Sequence, residues 1–112
     1  MRSAVWSAMQ SSAVVLPNSI RELITYAARE LCPDRIVLFG SRARGDALEA
    51  SDFDLAFVLN DETKKKWPRF LADVGELPLT LRRVDYVAWH EANDDLRKQI
   101  LAEGITVYEA PV

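Results

Sequence analysis

Two aspartates and a Gly-Ser pair lie close together in the sequence, where polar residues meet apolar runs. Gly40 and Ser41 end one apolar run, and Asp52 and Asp54 open the next. Residues two apart in a strand point to the same face, so both carboxylates would project together, with Cα atoms roughly 7 Å apart. At that spacing two unpaired carboxylates repel and raise each other's pKa. A divalent cation removes this repulsion, and hard oxygen ligands predict Mg²⁺.

A third acid, Asp85, lies inside a later apolar run, VDYVAW. An aspartate in such a run is unfavourable unless a partner compensates it. A salt bridge to Arg82 or Arg83 would do so. If the run instead forms a strand beside the earlier one, Asp85 joins Asp52 and Asp54. Three carboxylates could hold two metal ions, an arrangement that stabilises the attacking and leaving oxygens in phosphoryl transfer.

The Gly-Ser pair supplies groups that suit a phosphate. Glycine allows close backbone approach, free N–H groups in a loop or at a helix start bind phosphate oxygens, and the serine hydroxyl can donate to one. Two arginines, Arg42 and Arg44, follow directly. They could neutralise a triphosphate, or they could pair with Asp46 and Glu49. We include both arginines among the candidate nucleotide-binding residues.

Helix and strand patterns alternate around these residues. They predict helices over 19–32, 64–74 and 91–103, a short helix over 41–44, and strands over 35–39, 53–59, 82–89 and 105–108. Ser19 and Glu22 have the spacing of a capping box for the first helix. The alternation predicts an α/β (α+β) fold with a mixed sheet of three to five strands flanked by helices. We expect this domain over residues 18–112, preceded by a leader, 1–17, that is flexible or contacts a partner.

Length and composition limit the function classes. The chain has 112 residues, which favours one domain, and a net charge of −3 from 14 basic and 17 acidic residues. This charge argues against stable direct binding of nucleic acid. No apolar run approaches the ~20 residues of a membrane span, so we expect no membrane partner. The single cysteine, Cys32, cannot form an internal disulfide, which favours the cytoplasm.

The combination of these features resembles a known family. The stretch GSRARGDALEASDFD, residues 40–54, contains Gly-Ser, ten residues and Asp-x-Asp without insertion. This signature is similar to that of the DNA polymerase β superfamily of nucleotidyltransferases, and most similar to its minimal, stand-alone (MNT, MntA-like) members. The resemblance covers roughly residues 19–108. It implies the polymerase β palm-like fold.

The resemblance also implies a role for each residue of the motif. Gly40 and Ser41 would bind the triphosphate of ATP. Asp52 and Asp54 would be metal ligands for Mg²⁺, with two ions expected. Asp85 would be the third carboxylate, which ligates metal and deprotonates or orients the acceptor.

A lone catalytic domain has little surface for gripping an acceptor, and the resemblance implies a partner protein. Minimal nucleotidyltransferases are commonly paired with a helical HEPN-type RNase toxin, which they are thought to inactivate as antitoxins by transferring AMP from ATP to a tyrosine. We therefore expect a hetero-oligomer with such a toxin. Two alternatives stay open: a non-catalytic module that neutralises the toxin by contact, and a nucleotidyltransferase acting on a small molecule such as an aminoglycoside. A contact-only module would still neutralise the toxin after loss of the aspartates. A small-molecule nucleotidyltransferase would modify a drug in the absence of a partner protein.

Overall fold

A mixed sheet organises the computed structural model, which describes residues 15–76 and 79–111. The elements in chain order are α1 (Asn18–Glu30), β1 (Arg35–Phe39), α2 (Ser41–Arg44), β2 (Phe53–Val58), α3 (Asp61–Lys64), α4 (Trp67–Glu76), β3 (Val84–Ala88), a 3₁₀ turn (Trp89–Glu91), α5 (Asp94–Glu103) and β4 (Ile105–Glu109). The expected leader lies outside the described residues except for positions 15–17. Its predicted role stays a prediction.

The sheet has the strand order β3-β2-β1-β4. Strand β1 pairs antiparallel with both β2 and β4, whereas β2 and β3 run parallel. This mixed four-stranded sheet, flanked by helices, confirms the predicted fold class.

The start of α1 differs from the prediction. The helix begins at Asn18, directly after Pro17, and no side chain caps it. Ser19 therefore lies inside the first turn, where its hydroxyl hydrogen-bonds the hydroxyl of Thr80 at 2.7 Å. The predicted capping box between Ser19 and Glu22 is wrong: the box requires Ser19 at the N-cap, whereas the N-cap is Pro17, two residues earlier.

The predicted helix over 64–74 is two helices, α3 and α4. The Asn60 side chain accepts a hydrogen bond from the Thr63 amide, and the Thr63 hydroxyl accepts one from the Asn60 amide, so a capping box starts α3. Pro68 lies in the first turn of α4, where its missing N–H has little cost.

The predicted strand over 82–89 and the helix after it are both shorter than expected. Strand β3 covers only Val84–Ala88, and the 3₁₀ turn takes up the next residues. Helix α5 starts at Asp94 because the Asn93 side chain accepts a hydrogen bond from the Leu96 amide at 2.8 Å. It ends before Gly104, as predicted.

Alternate residues of β2 divide the interior in two. Phe53, Leu55 and Phe57 are buried on the side of the sheet covered by α1 and α4, which we call the core face. The Phe57 ring lies 5.2 Å from Trp67 and 5.6 Å from Phe70, measured between ring centroids. Apolar residues at helical spacing along α1, with the residue that follows it, are buried against this face: Ile20, Leu23, Ile24, Ala27 and Leu31.

The opposite side of the sheet, which carries Asp54 and Ala56 of β2, we call the acid face. Ala56 packs there with Val37 and Phe39 of β1 and with Ile100 of α5, in a much smaller apolar cluster. Helix α5 thus lies on the same side of the sheet as Asp54. Among the described residues, no helix is long and apolar enough to cross a bilayer.

Candidate active site

The sheet register brings Asp54, Asp85 and Gly40 together. Asp54 is paired with Asp85 across the parallel strands β2 and β3, and with Phe39 across the antiparallel strands β2 and β1. Gly40 directly follows Phe39, so it flanks Asp54 on the side opposite Asp85. The strand of Asp85 thus lies beside that of Asp54, which was the condition for Asp85 to join the other two acids.

Asp54 has a strongly perturbed environment. Its half-buried position, a hydrogen bond with Asp85, and the negative charges of Asp85, Asp52 and Glu103 together raise its pKa from 3.8 to about 6, with burial the largest cause. The repulsion expected from neighbouring carboxylates is therefore present at Asp54. Groups whose pKa is shifted by burial and a specific charged partner are characteristic of functional sites.

The backbone at Gly40 is fitted against the Asp54 carboxylate. Gly40 has φ +76°, in the left-handed region that side chains disfavour. A Cβ added at Gly40 would overlap Asp54 Oδ2. Only glycine allows the end of β1 to approach the carboxylate so closely.

Asp52 has a different partner from Asp54. Its Oδ1 lies 3.3 Å from Nε of Arg83, in a solvent-exposed ion pair. Arg83 thus pairs with Asp52, and within the described part of the chain Asp85 forms no ion pair with Arg82 or Arg83, the alternative that the sequence left open. Asp85 lies beside Asp54 instead and raises its pKa.

Arg42 holds the loop that separates Ser41 from Asp52. Its guanidinium donates to the backbone oxygens of Glu49 at 2.7 Å and Ser51 at 2.9 Å. It also lies over the Phe53 ring, 4.4 Å from the centroid. Arg42 therefore binds the Glu49 carbonyl where the sequence suggested its carboxylate, and its contacts fix the ten-residue loop. A direct contact of Arg42 with nucleotide stays a prediction.

Arg44 is held by two carboxylates. Its Nε lies 3.1 Å from Oδ2 of Asp46, the pairing suggested by the sequence, and its Nη1 lies 2.9 Å from Oε2 of Glu103. These two hydrogen bonds raise the pKa of Arg44 above its usual value.

Glu103 is a site residue that the sequence reasoning missed. It is the last residue of α5, and its Oε1 accepts hydrogen bonds from the Gly40 amide at 3.0 Å and from Gln99 at 3.1 Å. Burial opposes its ionisation, but the hydrogen bonds from Gln99, Arg44 and Gly40 prevail and lower its pKa. No sequence signal marks it, because a glutamate before a helix-ending glycine has the pattern of a surface residue.

The donor chemistry of the acid face fits a hard cation. Asp52, Asp54 and Asp85 offer carboxylate oxygens, and their mutual repulsion is what a divalent ion would relieve. Across residues 15–76 and 79–111, no three acidic, histidine or cysteine side chains already form a metal-binding cluster. Mg²⁺ typically takes one or two carboxylates plus substrate phosphates, so a complete protein cage is not required. The metal-ligand set stays a prediction.

The sequence matches one protein-family description. The family described as "Polymerase beta, Nucleotidyltransferase" matches residues 21–111, which include all the site residues named above. Comparison with curated proteins gives no match.

Solved structures have the same fold. A structure described as a minimal nucleotidyltransferase is 34% identical, with a TM-score of 0.57 over 79% of this chain and 89% of the other. A toxin-antitoxin crystallised with AMP-PNP is 24% identical, with a TM-score of 0.53 over 83% and 73% of the two chains. A mutant MntA–HpeT toxin-antitoxin is 23% identical, with a TM-score of 0.55 over 86% and 74%. The chain is therefore a member of the polymerase β nucleotidyltransferase family, and the relative that is 34% identical over 79% of it places it with the minimal nucleotidyltransferases.

Proposed function

We propose that this nucleotidyltransferase transfers AMP from ATP to a hydroxyl group, with tyrosine the preferred acceptor, of a HEPN-type RNase toxin, and so acts as an antitoxin. The observation that carries the proposal is the placement of Gly40 against Asp54, with Asp85 on the other side of Asp54. A phosphate-binding turn beside paired carboxylates is the arrangement that nucleotidyl transfer requires.

The nucleotide would lie along the segment from Gly40 to Arg44. Ser41 offers a hydroxyl and Arg44 a positive charge to the triphosphate. Asp52, Asp54 and Asp85 would hold Mg²⁺, with two ions expected. Bound there, the metal would offset the charge of the phosphates and of the oxygens that attack and leave.

The chemical step would be an in-line displacement at the α-phosphorus. The acceptor oxygen forms a bond to the α-phosphorus, the bond from that phosphorus to the bridging oxygen of the β-phosphate breaks, and pyrophosphate leaves. The acceptor proton passes to a carboxylate or to water. Asp85 is the candidate group, because it is exposed at the edge of the site while Asp54 is half-buried.

A toxin partner is supported by two of the matched structures, which are toxin-antitoxins; one of them was crystallised with AMP-PNP. The relative that is 34% identical is of the minimal kind. We propose that the toxin supplies the acceptor and that the two proteins form a hetero-oligomer. Use of ATP agrees with the cytoplasmic location that the single cysteine favours.

The test is transfer of label from α-³²P-ATP, with Mg²⁺, to a purified HEPN-type partner. Wild-type protein should label the partner on a tyrosine, and γ-³²P-ATP should leave it unlabelled because the γ-phosphate departs in pyrophosphate. Asp52→Ala/Asp54→Ala should abolish labelling, whereas Asp73→Ala, an acid paired with Arg69 on α4, should not. Absence of label with wild type, or equal label with the double variant, would contradict the proposal.

The same variant separates catalysis from contact. If Asp52→Ala/Asp54→Ala still protects cells from the toxin, neutralisation is by contact alone. If purified wild-type protein modifies an aminoglycoside and not the partner, the acceptor is a small molecule.

A further inference from the structure

One carboxylate links the two ends of the segment from Gly40 to Arg44. Glu103 Oε1 accepts from the Gly40 amide at 3.0 Å, and its Oε2 accepts from Arg44 Nη1 at 2.9 Å. Gln99, one turn earlier on α5, donates to the same Oε1 at 3.1 Å. The Glu103 side chain is 20% exposed and its bond to the Gly40 amide is partly buried, whereas Arg44 is 42% exposed and so accessible to a ligand.

We propose that Glu103 is a positioning residue: it holds the Gly40 backbone and the Arg44 guanidinium in place, so that Ser41 and Arg44 can bind the triphosphate. This inference rests on the proposed function, which places the nucleotide along this segment. Because Gly40 adopts φ +76°, its peptide group needs an acceptor in a defined direction, and Glu103 Oε1 supplies it. The second oxygen then fixes where the guanidinium of Arg44 lies.

The hydrogen-bonding capacity of the two arginines supports this assignment. A guanidinium has five N–H donors. Among residues 15–76 and 79–111, Arg44 donates one hydrogen bond to Asp46 and one to Glu103, so three of its N–H groups remain for phosphate oxygens. Within the same part of the chain, Arg42 donates three hydrogen bonds to loop carbonyls, so two of its N–H groups remain. Glu103 therefore acts on the arginine with more free donors.

Glu103 also has an electrostatic cost that its contacts must offset. Its negative charge contributes to the repulsion felt by Asp54, in a site that is to receive a polyanion. Arg44 lies at 2.9 Å and compensates that charge. A glutamine in its place would keep an oxygen for the Gly40 amide but would lose the charged partner of Arg44.

The experiment is calorimetric titration of ATP, ADP and AMP, each with Mg²⁺, into wild-type protein and Glu103→Gln. We expect Glu103→Gln to weaken ATP binding by about 10- to 100-fold, the range seen when a residue that orients a ligand is lost. AMP, which lacks the β- and γ-phosphates, should bind as to wild type, and ADP should fall between. Glu30→Gln, the same substitution at an exposed position of α1, is the matched control and should change nothing.

Glu103→Asp is a second variant, needed in case Glu103→Gln folds poorly, and melting curves are recorded for both. Its carboxylate keeps the charge but is one methylene too short to reach both partners, so it should show the same grading with phosphate number. Equal weakening of all three nucleotides, unchanged ATP binding, or tighter ATP binding would each overturn the inference. Failure of wild-type protein to bind ATP would instead overturn the proposed function on which it rests.

Discussion

The two faces of β2 show how one short strand serves stability on one side and chemistry on the other. On the core face, Phe53, Leu55 and Phe57 are at most 3% exposed and join a cluster that extends through α1 and α4. On the acid face, Asp54 precedes Ala56, and the apolar cluster there is small. The period of two in a strand allows this separation, because neighbouring residues never share a face.

The difference between the faces is energetic as well as chemical. Burial of apolar side chains stabilises the core face by roughly 25 cal/mol per Å² of surface removed from water. On the acid face, a half-buried carboxylate lies beside other carboxylates and its pKa is raised to about 6, so its ionised form destabilises the fold. Substitutions on the two faces should therefore have opposite effects on stability and activity.

The largest stability effect is expected at Leu55. Leu55→Ala should lower the free energy of unfolding by about 2–5 kcal/mol, because Leu55 is fully buried on the core face. Leu81→Ala is the matched control, since Leu81 is 99% exposed, and should change it by no more than about 0.5 kcal/mol. Urea denaturation measures both. Equal losses at the two positions would remove the distinction between core and surface.

A second comparison sharpens the role of Gly40. Gly40→Ala should cost about 1–3 kcal/mol, because φ +76° and ψ −160° form a backbone conformation that essentially only glycine adopts, and the new Cβ should displace Asp54 and reduce transfer by about 100-fold. Gly45→Ala is also strained, but in the αL conformation (φ +86°, ψ 9°), and has open space around the new Cβ. It should cost about 1–2 kcal/mol while keeping activity. Comparable activity for the two variants would show that the approach to Asp54 does not matter.

A smaller effect is expected from pH. Because the folded pKa of Asp54 is raised from 3.8 to about 6, the folded state binds more protons than the unfolded state between these values. The contribution of Asp54 to stability without metal should therefore fall as pH rises from about 4 to about 6, and remain lower above it. Asp54→Asn should remove that part of the fall and stabilise the protein above pH 6 by roughly 1 kcal/mol, after allowance for solvent screening. Melting curves in chelator measure it, with Asp73→Asn as control; a fall unchanged in Asp54→Asn would contradict the assignment.

Much of this arrangement could be predicted because its signals are local. The alternation of side chains from Phe53 to Phe57 shows which residues of β2 face the core. The Gly-Ser pair and the Asp-x-Asp motif lie within one stretch of fifteen residues, 40–54. The strand of Asp85 could be placed beside β2 because an acid inside an apolar run needs a compensating partner. Each of these inferences uses residues that lie in a single element or in two adjacent ones.

The rest depends on contacts between distant parts of the chain. Glu103 contacts Arg44 and Gly40 from 59 and 63 positions away, and the packing of α5 on β1, not any motif, brings them together. Ser19 likewise bonds Thr80, 61 positions away, where local spacing suggested a capping box. The spacing of polar residues within a helix does not show whether their partners are local or distant.

The most direct test of the account measures activity and stability on the same preparation of Asp54→Asn. The central claim has two parts: the acid face is the site of nucleotidyl transfer, and its ionised Asp54 lowers the stability of the folded protein. The variant should lose transfer of α-labelled AMP by about 1,000-fold or more, roughly 4 kcal/mol at 1.36 kcal/mol for each factor of ten, while its melting temperature in chelator rises above that of wild type. Transfer at the wild-type rate, or a lower melting temperature together with intact activity, would contradict the claim.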